Sequence, residues 1–368
     1  MSDGIASSPR FDQRRGIAGL ALTFLLAGCF WSGDPSDTSV AGGGEPAEVV
    51  QPTTSAGPAD QIAWDVDPGP DLYRVDPSTG GAEEILSTAG ELHEPEVSPD
   101  GSQVLYQGFA PNRTSQIFVL GDGGARQLTY LPRGAWEPTW SPDGERIAFV
   151  ARYAGDEETP ADTDVFVMDA DGTRVRRLAG TASHDRRPDW SPDGSQIVFD
   201  TYERQGLRGS SEIWVVSIGD GELTRLVSGS FHGGLAADPT WSPDGRSIAV
   251  TLLDSGTINN QIVSADLWVI RTDGTGAYPL HPLPVGQPSF GIIELDPSWS
   301  PDGSSIAFTD LSSKIEPRIG VVDVPTGAVA YLPTPRFLSD LSWSAEGIVA
   351  SMGYPLPSPS IWTGRSDV

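Results

Sequence analysis

A single cysteine, a single lysine and four histidines are spread over 368 residues. One Cys cannot build a disulfide framework or a thiolate zinc cluster. Positive charge is scarce: 23 Lys plus Arg stand against 50 Asp plus Glu, a formal net charge of −27. That sign excludes generic nucleic-acid binding, which needs a basic footprint, and disfavours docking onto anionic lipid head groups. Long apolar runs are also missing. After the stretch Gly16 to Ala27, no segment approaches the ~18 consecutive apolar residues of a spanning helix. No helical period of useful length follows residue 60. There is no Gly-x-Ser-x-Gly, no Gly-rich phosphate loop between a strand and a helix, and no Cys-x-x-Cys-His haem site.

Glycine and proline are plentiful, 43 and 32 residues without a collagen period, which points to a turn-rich fold. The N-terminus reads as an address. Arg10, Arg14 and Arg15 precede the short apolar run, which ends Leu26-Ala27-Gly28-Cys29. The run has the length of a signal-peptide core, and the four residues resemble a bacterial lipobox. The expectation is a signal peptide over 1–28, lipidation of Cys29, a flexible tether over 29–60 and a folded domain over 61–368. The tether carries Gly42-Gly43-Gly44 and too few large apolar residues to order itself. An extracytoplasmic, membrane-anchored protein follows from this reading. Phe30 after Cys29, in place of Asp, favours the periplasmic face of the outer membrane or the cell surface.

The rest of the chain is a repeat. Ser-Pro-Asp-Gly recurs at 98–101, 141–144, 191–194, 242–245 and 300–303, with a degenerate copy, Ser344-Ala345-Glu346-Gly347. The spacing lies near 40–50 residues, the period of a propeller or a similar array. In the second copy Pro138-Thr139-Trp140-Ser141 is a strand and Pro142-Asp143-Gly144 a turn. Arg146–Val150 alternates as a second strand, Asp164–Asp169 is a third, and Arg176-Arg177-Leu178 begins a fourth. Four antiparallel strands per repeat make a propeller blade. Counting second strands from 62–66 to 347–351 favours seven blades over six, with both chain ends stopping mid-blade. Closure then pairs material from the two ends and removes open edges.

The unit Pro-x-Trp-Ser-Pro-Asp-Gly, then Ile-Ala-Phe, Ile-x-Val-x-Asp and Arg-x-Leu, resembles the TolB-like propeller repeat over about 60–368. The resemblance implies an all-β propeller of six blades and a non-enzymatic role in binding a protein or peptide of the cell envelope. Departures are Val97 where Trp is expected, Leu341 for Pro, Ala345-Glu346 for Pro-Asp, and a tether where TolB carries an α/β domain. Propeller lyases that cleave acidic sugars around manganese share the repeat more loosely. Some peptidases carry such a propeller before a hydrolase domain, and none is expected here because the chain stops at Val368 after the propeller.

Two groups of residues carry the candidate chemistry. Repeat lengths place the insertions, at 152–163, 201–211, 229–237, 253–265 and 279–295, on one face, where binding loops usually sit over a rigid scaffold. On that face the position leading into each first strand reads Glu94, Glu137, Arg187, Asp238, Asp296 and Asp340. Either these are scattered solvated charges, or they ring the channel mouth and focus a field on a cation or a basic or amide-rich partner. His93, His184, His232 and His281 lie on the same side, as exposed loop histidines or, with neighbouring carboxylates, as ligands of a divalent metal. Lipidated Cys29 supplies the membrane contact, no cofactor is otherwise expected, and a monomer is. The Trp at 140, 190, 241, 299 and 343 read as packing between blades rather than as a ligand platform.

Overall fold

In each repeat short apolar runs make the buried strands, and the Ser-Pro-Asp-Gly segments turn them round. Ile147–Ala151 and Asp164–Met168 are continuous buried runs, as strands pressed between two neighbouring sheets require. Pro142 fixes φ and Gly144 takes φ 70°, which lets Gly144 N–H donate to Ser141 O at 2.8 Å. Asp143 Oδ1 accepts from Ser141 Oγ at 2.5 Å and from Glu145 N–H at 3.0 Å, so the turn satisfies its own polar groups. A computed structural model describes residues 72–87, 92–152, 162–205, 208–229, 231–254, 264–280, 294–312, 318–334 and 338–352.

Among the described residues the strands form six four-stranded antiparallel sheets. Their inner strands are His93–Val97, Ala135–Trp140, His184–Trp190, Leu235–Trp241, Glu294–Trp299 and Leu338–Ser344. We number the blades 1 to 6 in that order. Each inner strand touches the inner strands of both neighbours, and blade 6 touches blade 1, so the ring is closed. Blade 6 is composite. Leu338–Ser344 and Gly347–Met352 come from the C-terminal part of the chain, Leu72–Val75 and Ala82–Leu86 from the N-terminal part. Leu72 pairs with Ser351 and Val75 with Ile348.

This corrects the preference for seven blades. The repeat near residue 72 and the copy near residue 347 are two halves of one sheet, so counting each as the start of a blade adds one too many. The expected pairing of the two ends is what closes the ring. The strands expected at 62–66 and 360–362, the signal and tether segments, and His281 lie outside the described residues.

The core lies between the blades. Six hydrophobic clusters each join two neighbouring sheets. Trp140 packs with Leu105 and Ile117 of blade 1 and with Ile147 and Phe149 of its own blade. Trp190, Trp241 and Trp299 repeat this at the next three seams. Trp190 Nε1 donates to Thr139 O and Trp299 Nε1 to Thr240 O, each on the preceding blade. Trp140, Trp190, Trp241 and Trp299 are therefore packing, as their periodicity suggests. Val97 takes the same place at the seam of blades 6 and 1, among Leu72, Val349 and Val104.

Candidate functional site: the channel mouth

The six residues singled out at one repeat position share a backbone state that their side chains do not dictate. Glu94, Glu137, Arg187, Asp238, Asp296 and Asp340 have φ of 48°, 51°, 50°, 52°, 54° and 51°. This is the left-handed region, which residues with a Cβ rarely enter. In each inner strand the pairing register also shifts across this position, for instance between Trp136 and Thr139 and between Ala237 and Thr240. These are β-bulges, and a bulge re-aims the side chain it carries. Pro follows the first five of the six residues. It has no N–H to offer the ladder, which suits a position where the ladder is interrupted.

The bulges gather the six side chains at the channel mouth. Arg187 Nη1 lies 2.6 Å from Asp238 Oδ1 of the next blade and 3.1 Å from Asp296 Oδ1 of the blade beyond it. One guanidinium thus spans three blades. Arg187 N–H donates to Glu137 Oε2 at 2.6 Å. Across the closing seam Glu94 N–H donates to Asp340 Oδ2 at a long 3.5 Å. Asp340 Oδ2 also accepts from Ser351 Oγ at 2.7 Å and lies 3.6 Å from His93 Nδ1. The contacts fall into two groups, Arg187 with Glu137, Asp238 and Asp296, and Glu94 with Asp340.

Burial decides the charge state of this network. Glu94 has its carboxyl pushed well up, first by desolvation and then by Asp340. Desolvation also raises Glu137, against the pull of Arg187 and Arg186. Asp296 is raised to about 6, again by desolvation first, with Arg187 opposing. At Asp340 the same burial is outweighed by the hydrogen bond and charge of His93 and by Ser351, and its carboxyl falls below the ordinary value. The mouth therefore holds carboxyls on both sides of the ordinary range around a permanent cation. Arg187 Nε is buried and finds no acceptor among the described residues.

A second layer beneath the mouth was not anticipated. Glu96 accepts Trp140 N–H with both oxygens at 3.2 Å, and Asp189 accepts Trp241 N–H at 2.6 Å. Each carboxylate reaches to the following blade. Burial raises Asp189 to about 6 and Glu96 well above its ordinary value. The available signal is a carboxylate two places after the bulge residue, at Glu96 and Asp189.

The three described histidines do not converge. His93 sits beside Asp340 at the mouth. His184 is half-exposed, 3.6 Å from Asp162 Oδ1. His232 stacks on Trp268, their ring centroids 4.6 Å apart. Among the described residues no three His, Cys, Asp or Glu side chains are grouped to hold a metal ion. Exposed aromatics stand on the same face as the mouth. Phe109 ends a second strand and is 47% exposed; Tyr130 follows a fourth strand and is 44% exposed.

Comparison with known proteins places this geometry. The family profile described as the TolB beta propeller domain matches residues 69–275. An uncharacterized peptidase of Bacillus subtilis, YuxL, is 29% identical over 184 residues, 48% of this chain and 24% of that protein. The chain thus spans about a quarter of that relative's length. The structure of a putative TolB from Agrobacterium tumefaciens superposes with a TM-score of 0.61 at 19% identity, over 78% of this chain and 98% of that one. An oligogalacturonate lyase in complex with manganese superposes with a TM-score of 0.51 at 19% identity, over 75% of each chain.

Proposed function

Since the chain belongs to the TolB beta propeller domain family, we propose that it is a non-enzymatic binding scaffold whose channel mouth recognises a protein or peptide of the cell envelope. One observation carries the reading: six bulged, left-handed residues bring five carboxyls and one guanidinium to the same end of the inner strands, where Arg187 contacts two other blades. Holding non-glycine residues in that region costs of order 1–3 kcal/mol each, a cost found chiefly at binding and catalytic sites. A peptide suits the mouth because its amide N–H groups and basic side chains meet the carboxylates while its carbonyls meet Arg187. Phe109 and Tyr130 on the same face supply the exposed aromatics that partner surfaces favour.

The anchor belongs to the same proposal. Cys29, lipidated and followed by the tether, holds the propeller as a monomer outside the cytoplasm, at the outer membrane or cell surface. Cys29→Ala is expected to abolish labelling by radioactive palmitate; unchanged labelling refutes the anchor. For the mouth, Asp238→Arg with Asp296→Arg is compared with the milder Glu94→Gln in cross-linking of intact envelopes. Loss of the cross-linked partner in both, with circular dichroism unchanged in Glu94→Gln, supports the assignment, and retention in both overturns it.

The likeness to a manganese-bound lyase keeps a metal-dependent uronate lyase as the second reading, in fold alone. His93 beside Asp340 and His184 beside Asp162 are its supporting pairs. Elemental analysis of protein purified without chelator decides it: one tightly held divalent metal per chain favours the lyase, and none favours the scaffold.

A further inference from the structure

The face opposite the mouth carries the Ser-Pro-Asp-Gly turns, and four of its six seams follow one packing rule. The proline of each turn lies over the glycine of the next blade's turn. Pro99 Cδ stands 3.7 Å from where a Cβ on Gly144 would be. Pro142 over Gly194, Pro192 over Gly245 and Pro243 over Gly303 repeat this at 3.8, 3.8 and 3.6 Å.

The seam between blades 5 and 6 breaks the rule. In blade 2 the turn between the paired residues Trp140 and Ile147 runs from Ser141 to Arg146; in blade 6 the turn between Trp343 and Ile348 runs only from Ser344 to Gly347. Two residues are missing there, and Ala345 stands in place of the proline. Gly347 has φ 118°, where the turn glycines of the other five blades have 69–75°. Its nearest neighbours are Val75 and Arg74 rather than Pro301. At the other seam of blade 6 the gap is covered, because Glu346 Cγ lies over Gly101 as a proline would.

The short turn leaves a cleft of ≈ 570 Å³ between blades 5 and 6. Trp343 lines it and is part-exposed, whereas Trp140, Trp190, Trp241 and Trp299 are only 4–7% exposed. Asp76, Glu83, Asp302 and Glu346 also line it. Asp76 Oδ1 accepts from Ser78 N–H and Oγ, and Asp302 Oδ1 from Ser304 N–H and Ser300 Oγ. These bonds hold both carboxyls at about 2, so both stay charged at any physiological pH. Arg74 also lines the cleft.

We propose that this cleft is a second peptide-binding site, which takes an arginine or lysine side chain of an extended partner segment. The cation stacks on the Trp343 indole among the four carboxylates, where ring quadrupole and charge act together. The site rests on the seam geometry and is separate from the mouth.

The test uses the full chain carrying 5-fluorotryptophan, with the Trp343 fluorine resonance assigned through Trp343→Phe. Blocked Gly-Gly-Arg-Gly-Gly and Gly-Gly-Glu-Gly-Gly are titrated in turn. The arginine peptide is expected to move the Trp343 resonance saturably, and Asp302→Asn with Glu346→Gln to weaken its binding about tenfold. Calorimetry of the arginine peptide with that exposed double variant needs no assignment and serves if Trp343→Phe does not fold. A Trp343 resonance unmoved by the arginine peptide, moved equally by the glutamate peptide, or an affinity unchanged in the double variant overturns the proposal.

Discussion

At the residue scale the mouth turns on Arg187, whose guanidinium contacts carboxylates of two other blades. Removing it takes from Asp238 and Asp296 the guanidinium that each contacts. Arg187→Gln is therefore expected to cost about 3 kcal/mol, read as a lowered midpoint in urea. The raised carboxyls set the sign of the pH dependence. Desolvation lifts Asp185 to about 8, Glu294 to about 7, and Asp189 and Asp296 to about 6, all above their unfolded values. The folded state then binds more protons than the unfolded one, so this contribution to stability is full at about pH 4 and below and is lost as pH rises from about 4 to about 8. Thermal melts across that window should show the decline, and Asp189→Asn should flatten its lower half. The ring position itself was legible, because one repeat slot carries a charge in every blade. Its left-handed bulge was not: nothing in Glu94 or Arg187 as residue types asks for positive φ, which the surrounding ladder imposes.

At the element scale the blade was legible down to its strands, since Pro and Gly mark the turns and apolar runs mark the buried strands. The blade count was misread because two half-blades at opposite ends of the chain look, in sequence, like two blades. The short turn of blade 6 was visible as a degenerate motif, but its consequence appears only when the neighbouring proline is found without its glycine. One strand position has no slack. A Cβ on Gly320, in the strand Arg318–Asp323, would stand 2.2 Å from Phe308 Cζ. Gly320→Ala must displace a fully buried ring, so it is expected to cost about 1–3 kcal/mol. Gly123→Ala, where a Cβ meets nothing within 4 Å, is the control that should leave the melting temperature unchanged.

At the scale of the whole molecule, stability is a circuit of six seams, each a cluster shared by two blades, and the strand Leu72–Val75 clasped against Gly347–Met352 closes it. Val349 pairs with Arg74 on one side and Ser342 on the other. Val349→Pro removes a ladder donor from the middle of that sheet. It is expected to open the ring, seen as a larger radius of gyration in X-ray scattering and a broadened melt. The clasp also sets a timetable. During synthesis the strand at Leu72 leaves the ribosome early and must wait, unpaired, until the strand at Gly347 follows it at the far end of the propeller. Until then the nascent chain has two open edges and no closed channel. A product interrupted before Gly347 can never close, and a chain exported as it is made would meet its own beginning only on the far side of the membrane.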